Sequence, residues 1–311
     1  MIALLCPGQG AQKPGMLDAW LEQDSAGERL DRMAEATGLD LHYLGTTADA
    51  ETIKDTAVAQ PLLAATSLLA LSALTQRLGP VREWASVVAG HSVGEFAAAA
   101  ATGVLTEPEA LSLVTVRGRA MADAAAQSPS GMSAVVGGDP DEVTAALHHH
   151  RLTAANVNGG GQTVAAGDNA DLQALADNPP ARARVVPLPV AGAFHTQHMA
   201  PAVAYVAQAA TQIEPREPET VLLSNADGQP MTDGATALAS LVAQITSPVR
   251  WDLCQDYLSE HQVGAVIELA PGGVLTGLAR RTLPGVPAVA LKSAADLDAA
   301  VAAVTAAKEN R

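Results

Sequence analysis

Residues 87–105, VVAGHSVGEFAAAAATGVL, contain the turn on which the fold of this chain depends. A short apolar run ends at Gly-His-Ser-Val-Gly, and an Ala-rich segment typical of a helix follows. The five residues match G-x-S-x-G, whose glycines permit a sharp strand-to-helix turn that exposes the serine oxygen. Ser92 is therefore predicted to be a nucleophile, with the amide of Val93 at a helix N-terminus that stabilises a developing oxyanion. The alternative is a tight structural loop that happens to contain Ser92.

The segments around this turn alternate between apolar strands and helices. Buried strands are predicted in IALLCPGQG, WASVVAG, TVLLSNADG and VGAVIELAPGG, and helices in AQPLLAATSLLALSALTQRLG and LDAAVAAVTAA. Thr106 followed three residues later by Glu109 has the spacing of a capping box and predicts another helix start. This alternation indicates an α/β fold with a mainly parallel sheet.

The middle of the chain has a different order of elements. GMSAVVGG, DPDEVTAALHHH, LTAANVNGGGQTVAAG, NADLQALADN and ARVVPLPVA predict strand, helix, two strands, helix and strand. This βαββαβ order is that of a ferredoxin-like unit. We therefore expect a small ferredoxin-like subdomain at residues 129–191, inserted into a larger catalytic subdomain formed by residues 1–128 and 192–311.

Composition excludes several classes of partner. The formal net charge of −15 argues against binding to nucleic acid and to anionic membranes, which both require a basic face. An acidic protein partner would need a local basic patch, for which Arg280, Arg281 and Lys292 are candidates.

The remaining composition points to the cytoplasm. No apolar run is expected to reach the roughly 18 residues that span a bilayer, and the start MIALLCPGQG lacks the basic segment of a signal peptide. Cys6 and Cys254 are too few for a disulfide framework and fit a reducing compartment.

A serine nucleophile needs a base, and the chain has eight histidines. His91 adjoins Ser92, but adjacent side chains on such a turn point apart, which favours a structural role. His148–His150 end a predicted helix and, being consecutive, cannot all face one metal ion. His42 and His261 lie in amphipathic stretches typical of the surface. This leaves His195 and His198 in the loop GAFHTQHM, and spacing alone does not choose between them.

Several motifs together resemble the malonyl-CoA:acyl-carrier-protein transacylases, acyltransferases of fatty-acid and polyketide synthesis. They are PGQGAQ, GHSVGE, RGRAM, GAFHT and SPVRW, in the family's order over nearly the whole chain. The resemblance implies an α/β-hydrolase-like subdomain that carries a small ferredoxin-like one, in agreement with the predicted insertion.

The resemblance also assigns roles. It implies that Ser92 is acylated and that His195 is the general base, oriented by the backbone carbonyl of Gln244. Gln9 and Val93 would supply the amides of the oxyanion hole. Arg117 would bind the free carboxylate of the substrate, although a surface helix position is the alternative for this residue alone. Phe194 stands where malonyl-selective members carry phenylalanine.

The implied substrates are malonyl-CoA and a holo acyl carrier protein, with no metal and no bound cofactor. The implied oligomeric state is a monomer. Three alternatives remain: an acyl-carrier-protein thioesterase, the malonyl transferase subunit of a malonate decarboxylase, and a catalytically idle docking subunit. Intact Ser92, His195 and Arg117 argue against the last, and Arg117 with Phe194 argues for malonyl transfer over hydrolysis.

Overall fold

The computed structural model describes residues 1–309. The strands are β1 Ile2–Cys6, β2 Val87–Gly90, β3 Ser130–Gly137, β4 Thr153–Gly159, β5 Gln162–Asp168, β6 Ala183–Pro187, β7 Val221–Leu223, β8 Pro230–Met231, β9 Val249–Arg250, β10 Ala265–Glu268 and β11 Ala288–Ala290.

The α-helices are α1 Asp18–Leu21, α2 Ala26–Thr37, α3 Leu41–Thr46, α4 Thr56–Leu78, α5 Val81–Trp84, α6 Gly94–Ala101, α7 Glu107–Ala125, α8 Pro140–His149, α9 Asn169–Asp177, α10 Ala200–Ala210, α11 Gly234–Ala243, α12 Trp251–Glu260, α13 Val274–Thr282 and α14 Leu297–Glu309. Short 3₁₀ turns occupy Thr52–Lys54, Gln197–Met199, Gln244–Thr246 and Ala294–Asp296. The predicted capping box forms between Thr106 and Glu109 at the start of α7.

The larger sheet is the centre of the fold, with strand order β11-β10-β1-β2-β7-β8. Neighbouring strands run parallel except β8, which pairs antiparallel with β7. On β1, Ile2 and Leu4 pack into one hydrophobic cluster while Ala3 and Leu5 pack into another. Both faces of the sheet are thus covered, as parallel sheets require, and the predicted α/β fold is confirmed.

Helix α4 lies in the interior of the larger hydrophobic cluster, against α2, α6 and α7. Its 23 residues are long and apolar enough to cross a membrane by length and composition alone. The sequence-based expectation that no segment reaches this threshold is therefore wrong. The helix is apolar around most of its circumference because packing buries it on several sides, and most of it is buried inside the protein.

The second sheet has the order β6-β3-β5-β4-β9. Strands β3 to β6 pair antiparallel and, with α8 and α9, reproduce the predicted βαββαβ order. Strand β9 was not anticipated: it comes from the later SPVRW segment and pairs parallel with β4. The sheet thus takes an edge strand from outside residues 129–191, and the exact boundaries of the inserted unit stay a prediction.

The two faces of the second sheet have different environments. One face packs against α8 and α9 through a separate hydrophobic cluster that includes Val135, Leu147 and Leu175. The pairing of β4 with β5 shifts register between Ala154 and Asn156 and again between Val157 and Gly159, and Asn156 and Asn158 both face the other side. They line a cavity that also borders Ser92. The inserted unit therefore supplies one wall of the candidate site.

Candidate active site

Ser92 occupies the turn between β2 and α6 in a left-handed backbone conformation, with φ of 53°. A Cβ added to Gly90 would lie 2.1 Å from the carbonyl carbon of Gly94, and one added to Gly94 would lie 2.2 Å from the carbonyl oxygen of Cys6. Only glycine fits at these two positions, which is the physical basis of the G-x-S-x-G pattern. A strained serine in a tight strand-to-helix turn is typical of a functional site.

His195 lies in the loop between β6 and α10 and faces Ser92. Its Nε2 is 2.7 Å from Ser92 Oγ, and its Nδ1 is 2.9 Å from the backbone oxygen of Gln244. Because a carbonyl oxygen only accepts hydrogen bonds, Nδ1 carries the proton and Nε2 is left to accept the serine hydroxyl. Chemically, the pair is a nucleophile beside a base that a main-chain group orients in place of a carboxylate.

The environment keeps His195 neutral. Burial, followed by the positive charge of Arg117, lowers the pKa of His195 to about 3. The side chain is almost fully buried, and a neutral imidazole is the form that can take a proton from a hydroxyl.

Arg117 on α7 is fully buried at the same cavity. Its Nη1 donates to Gln60 Oε1 at 2.7 Å and its Nη2 donates to Gln244 Oε1 at 2.7 Å. Its Nε has no hydrogen-bond partner in the described residues, and its guanidinium carbon lies 5.6 Å from the ring centre of Phe96. Burial lowers the pKa of Arg117 to about 10, which leaves it cationic at neutral pH. The surface position considered from sequence alone is wrong.

Glu95, the residue after the serine motif, is buried beside this group. Its Oε1 accepts the backbone N–H of Asn225 at 2.7 Å, and its Oε2 accepts a hydrogen bond from Gln244 Nε2. Burial raises the pKa of Glu95 to about 8, while these two hydrogen bonds and the charge of Arg117 act in the opposite direction.

Asn225, which follows β7, holds the turn around Ser92 through two side-chain hydrogen bonds. Its Oδ1 accepts the backbone N–H of Ser92 at 2.7 Å and its Nδ2 donates to the carbonyl of Gly90 at 2.7 Å. The sequence interpretation missed Gln60, Glu95 and Asn225. Gln60 left a signal, because it is a polar residue within an otherwise apolar stretch of α4.

These residues enclose a cavity of about 190 Å³. Ser92, His195 and Arg117 line it together with Gln9 and Phe194, and α13 supplies a further part of the wall. The lining also includes Gly8, Gln60, His91, Met121, Met132, Ala134, Asn156, Asn158, Gln162, Val164, Leu188, Val190, Val274, Leu275 and Leu278. The cavity is thus a mainly apolar chamber with a nucleophile and a buried cation.

The structure brings the other predicted site residues to the same place. Gln9 follows β1 and its Nε2 donates to Thr56 Oγ1 at 3.3 Å. Val93 is the N-cap residue immediately before α6. Because β1, β2 and β7 run parallel, the residues after their carboxyl ends meet at one edge of the sheet, where ligands of α/β proteins bind.

The other histidines lie away from the Ser92 hydroxyl. His198 Nδ1 is 3.3 Å from Ser128 Oγ, and its Nε2 is 3.8 Å from Asp168 Oδ1. His91 borders the cavity, where its Nε2 bonds Asn158 Oδ1 at 2.9 Å. In residues 1–309, no three His, Cys, Asp or Glu side chains are placed to hold a metal ion. The expectation of neither metal nor cofactor stays a prediction.

This fold and site define a class of protein. Residues 3–308 match the acyl transferase domain family, and the chain belongs to that family. The resemblance read from the sequence motifs is thereby confirmed, and the chain is an acyltransferase.

Individual relatives carry names that indicate a narrower activity than the family model does. The malonyl CoA-acyl carrier protein transacylase of Mycobacterium tuberculosis is 52% identical over 298 residues, which cover 96% of this chain and 98% of the relative. The crystal structure of MCAT from Mycobacterium tuberculosis superposes with a TM-score of 0.93 and covers 96% of this chain and 99% of the other. A malonyl-transacylase in complex with a type II PKS acyl-carrier protein superposes with a TM-score of 0.90 at 29% identity, covering 97% of this chain and 99% of that one.

Proposed function

We propose that this acyltransferase moves a malonyl group from malonyl-CoA to the phosphopantetheine thiol of an acyl carrier protein, through a malonyl ester of Ser92. The observation that carries the proposal is the juxtaposition, in one cavity, of the Ser92–His195 pair and the buried Arg117. A nucleophile and a buried cation that forms no ion pair with a carboxylate in residues 1–309 fit an acyl group that ends in a carboxylate. The names of the relatives agree with this substrate.

In the first half-reaction, His195 Nε2 takes the proton of the Ser92 hydroxyl while Oγ attacks the thioester carbonyl. The tetrahedral oxyanion is bound by the backbone amides of Gln9 and Val93, the latter at the N-terminus of α6. As the intermediate collapses, the carbon–sulfur bond breaks and His195 returns the proton to the leaving thiol of coenzyme A.

In the second half-reaction, the carrier's phosphopantetheine thiol occupies the position that coenzyme A left. His195 takes its proton, and the thiolate attacks the malonyl-Ser92 ester. Collapse of this intermediate breaks the ester bond, returns the proton to Ser92 and releases malonyl-carrier protein. Coenzyme A and the carrier end in the same pantetheine arm, so that one channel serves both steps of a ping-pong reaction. No metal or redox cofactor takes part.

Arg117 and Phe194 set the acyl specificity. A guanidinium offers two parallel N–H donors to a carboxylate, and burial strengthens that pair. An acetyl group would leave the cation without a partner, which is how a polar site discriminates against an uncharged analogue. Phe194 lines the cavity and restricts the space for larger acyl groups.

The acidic carrier would approach the mouth of the cavity beside α13. Arg280 and Arg281 are exposed in the last turn of this helix, whose first residues line the cavity. Lys292 is also exposed, and its Cε would lie 3.5 Å from a Cβ built on Gly273, just before α13. Malonyl units would supply fatty-acid or polyketide synthesis, according to the carrier. A monomeric state and a cytoplasmic location complete the proposal.

Intact-mass spectrometry tests the reaction directly. The protein is mixed with malonyl-CoA and then with a holo acyl carrier protein. We expect one malonyl group to add to the enzyme and then to move to the carrier. Ser92→Ala should form no adduct, whereas Ser112→Ala, at an exposed serine on α7, should behave like the wild type.

Other outcomes would redirect the proposal. An adduct that decays to free malonate whether or not the carrier is present would favour a thioesterase. An adduct that transfers only to the carrier subunit of a malonate decarboxylase would favour that complex. A wild-type protein that forms no adduct would favour a docking subunit, and an adduct on Ser92→Ala at the normal rate would refute the assignment of the nucleophile.

A further inference from the structure

The buried Arg117 is held by neutral groups. Both terminal nitrogens donate to amide oxygens, those of Gln60 and Gln244. Among the described residues, no ion pair within 4 Å joins this guanidinium to a carboxylate. The hydrogen bonds therefore position the arginine without neutralising its charge, which stays available for an anionic acyl group.

This arrangement depends on which end of the Gln244 amide faces the arginine. A glutamine side chain has an acceptor oxygen and a donor NH₂ of nearly the same shape, and the surrounding hydrogen bonds choose between the two orientations. Here the NH₂ group lies between Glu95 Oε2 and the carbonyl oxygen of Ser92, which is 3.0 Å away. Both accept when Glu95 is ionised, the form that its two hydrogen bonds and the charge of Arg117 favour against the effect of burial, so that the amide oxygen points to Arg117.

We propose that Glu95 is a positioning residue for acyl specificity: it orients the Gln244 amide so that an oxygen, and not an NH₂ group, faces Arg117 at the malonyl carboxylate site. This role rests on the proposed function. Glu95 also accepts the N–H of Asn225, which fixes the carboxylate between two donors, and both donors belong to residues that contact the backbone of Ser92.

Replacement by glutamine shows why the charge matters. In Glu95→Gln, the side-chain oxygen can still accept from Asn225, which leaves an NH₂ group facing the NH₂ group of Gln244. Two donors cannot pair, and if the Gln244 amide turns, its NH₂ group faces Arg117 while its oxygen faces the Ser92 carbonyl, so that both of its original contacts are lost. The conflict then moves to the arginine, whose Nη2 loses its acceptor. The malonyl site is disturbed, while the Ser92–His195 pair keeps its groups.

The experiment compares kcat/KM for malonyl-CoA and acetyl-CoA, with one holo carrier protein, in the wild type and three variants. For Glu95→Gln we expect the malonyl-to-acetyl ratio to fall about tenfold, mostly through a higher KM for malonyl-CoA, since carboxylate binding is shared by ground and transition states. Glu268→Gln is the matched control. Glu268 is also a buried glutamate, but its carboxylate accepts backbone N–H groups of Gly273, Leu275 and Thr276. Its variant should lower the melting temperature and, because it acts through the start of α13, change malonyl and acetyl transfer alike, so that the ratio stays at the wild-type value.

The double variant Glu95→Gln/Gln244→Glu distinguishes an effect on stability, measured as the melting temperature, from an effect on acyl specificity, measured as the malonyl-to-acetyl ratio. The amide introduced at position 95 can donate to the new carboxylate at position 244 and still accept from Asn225, so that the melting temperature should recover in part; the Ser92 carbonyl still lacks the donor that Gln244 Nε2 supplied. The new carboxylate pairs directly with Arg117 and should lower the malonyl-to-acetyl ratio further.

Several results would overturn the proposal. An equal fall in malonyl and acetyl transfer in Glu95→Gln would mean that Glu95 only braces the serine turn. A double variant that regains the malonyl preference along with its melting temperature would contradict the orientation argument, and so would failure of both variants to fold. The proposed function is judged separately, by malonyl transfer in the wild type.

Discussion

Replacement of Arg117 by alanine removes the one positive charge that we assign to the acyl group. Arg117 is fully buried, and its partners Gln60 and Gln244 are uncharged. A bound malonyl carboxylate would therefore meet a guanidinium that makes no ion pair within 4 Å among the described residues. An acetyl group would gain nothing from this cation, so that Arg117→Ala should reduce malonyl transfer and leave acetyl transfer equal or improved.

The size of the effect follows from the hydrogen bonds. A hydrogen bond to a charged group contributes about 1.5–3 kcal/mol, and a bidentate pair has two, which gives about 3–6 kcal/mol. Coulomb's law with an effective dielectric constant of about 20 gives about 4 kcal/mol at about 4 Å, within the same range. Because each 1.36 kcal/mol is about tenfold in rate, kcat/KM for malonyl-CoA should fall about 10²- to 10⁴-fold.

The assay measures kcat/KM for malonyl-CoA and acetyl-CoA with the same holo carrier protein. Arg119→Ala is the matched control, because Arg119 lies two residues further along α7 and is exposed. Its variant makes the same change in net charge and should keep the wild-type ratio of the two substrates. Melting temperatures identify any loss from Gln60 and Gln244 oxygens left without a donor. Equal losses for malonyl and acetyl would refute the carboxylate role of Arg117.

The remaining predictions concern the base and the turn. Since the pKa of His195 is lowered to about 3, kcat/KM should show no acid limb near the ordinary imidazole value of 6.5; a pH–rate profile with such a limb would contradict this. The same pKa shift makes the free energy of unfolding depend on pH. Below pH 6.5, His195 binds a proton in the unfolded chain but stays neutral in the folded protein. As the pH falls from 6.5 to about 3, this one group should lower the free energy of unfolding by about 1.4 kcal/mol for each pH unit. Above pH 6.5 it should have no effect on the free energy of unfolding. Urea unfolding of wild type and His195→Gln should show that difference in slope, and parallel curves would contradict it. For Gly94→Ala, whose Cβ would lie 2.2 Å from the Cys6 oxygen, we expect loss of both stability and acyl-enzyme formation. Gly27→Ala, whose Cβ would meet no described atom within 4 Å beyond its chain neighbours and the backbone of its own helix, should retain both. A Gly94→Ala protein with wild-type melting temperature and activity would refute the steric argument.

Features set by neighbouring residues were predictable from the sequence. The turn around Ser92 needs glycines two residues either side, and the start of α7 needs a cap and an acid three residues later. Both requirements act over a few positions, so that the local order of residues reveals them. Strand and helix periodicity was enough for the α/β class and for the βαββαβ order of the insertion.

Features that join distant segments depended on the tertiary structure. Residue spacing left His195 and His198 as equal candidates, whereas the fold places His195 against Ser92, 103 positions away, and against the carbonyl of Gln244, 49 positions away. Strand β9 joins the second sheet only because the chain returns to β4. In the same way, the apolar helix α4 is surrounded by protein. Its composition alone does not distinguish this position from that of a helix surrounded by lipid.

The charge state of the site also depends on the tertiary structure. Nothing in the sequence around Arg117 tells whether its partners are carboxylates or amides, since Gln60 lies 57 positions away and Gln244 lies 127 positions away. By itself the sequence determined the residues of the reactive turn, because a turn is built from neighbours. Only the tertiary structure decided that the buried arginine is held by amide oxygens and keeps its charge, because hydrogen bonds and burial are set by groups that folding brings together.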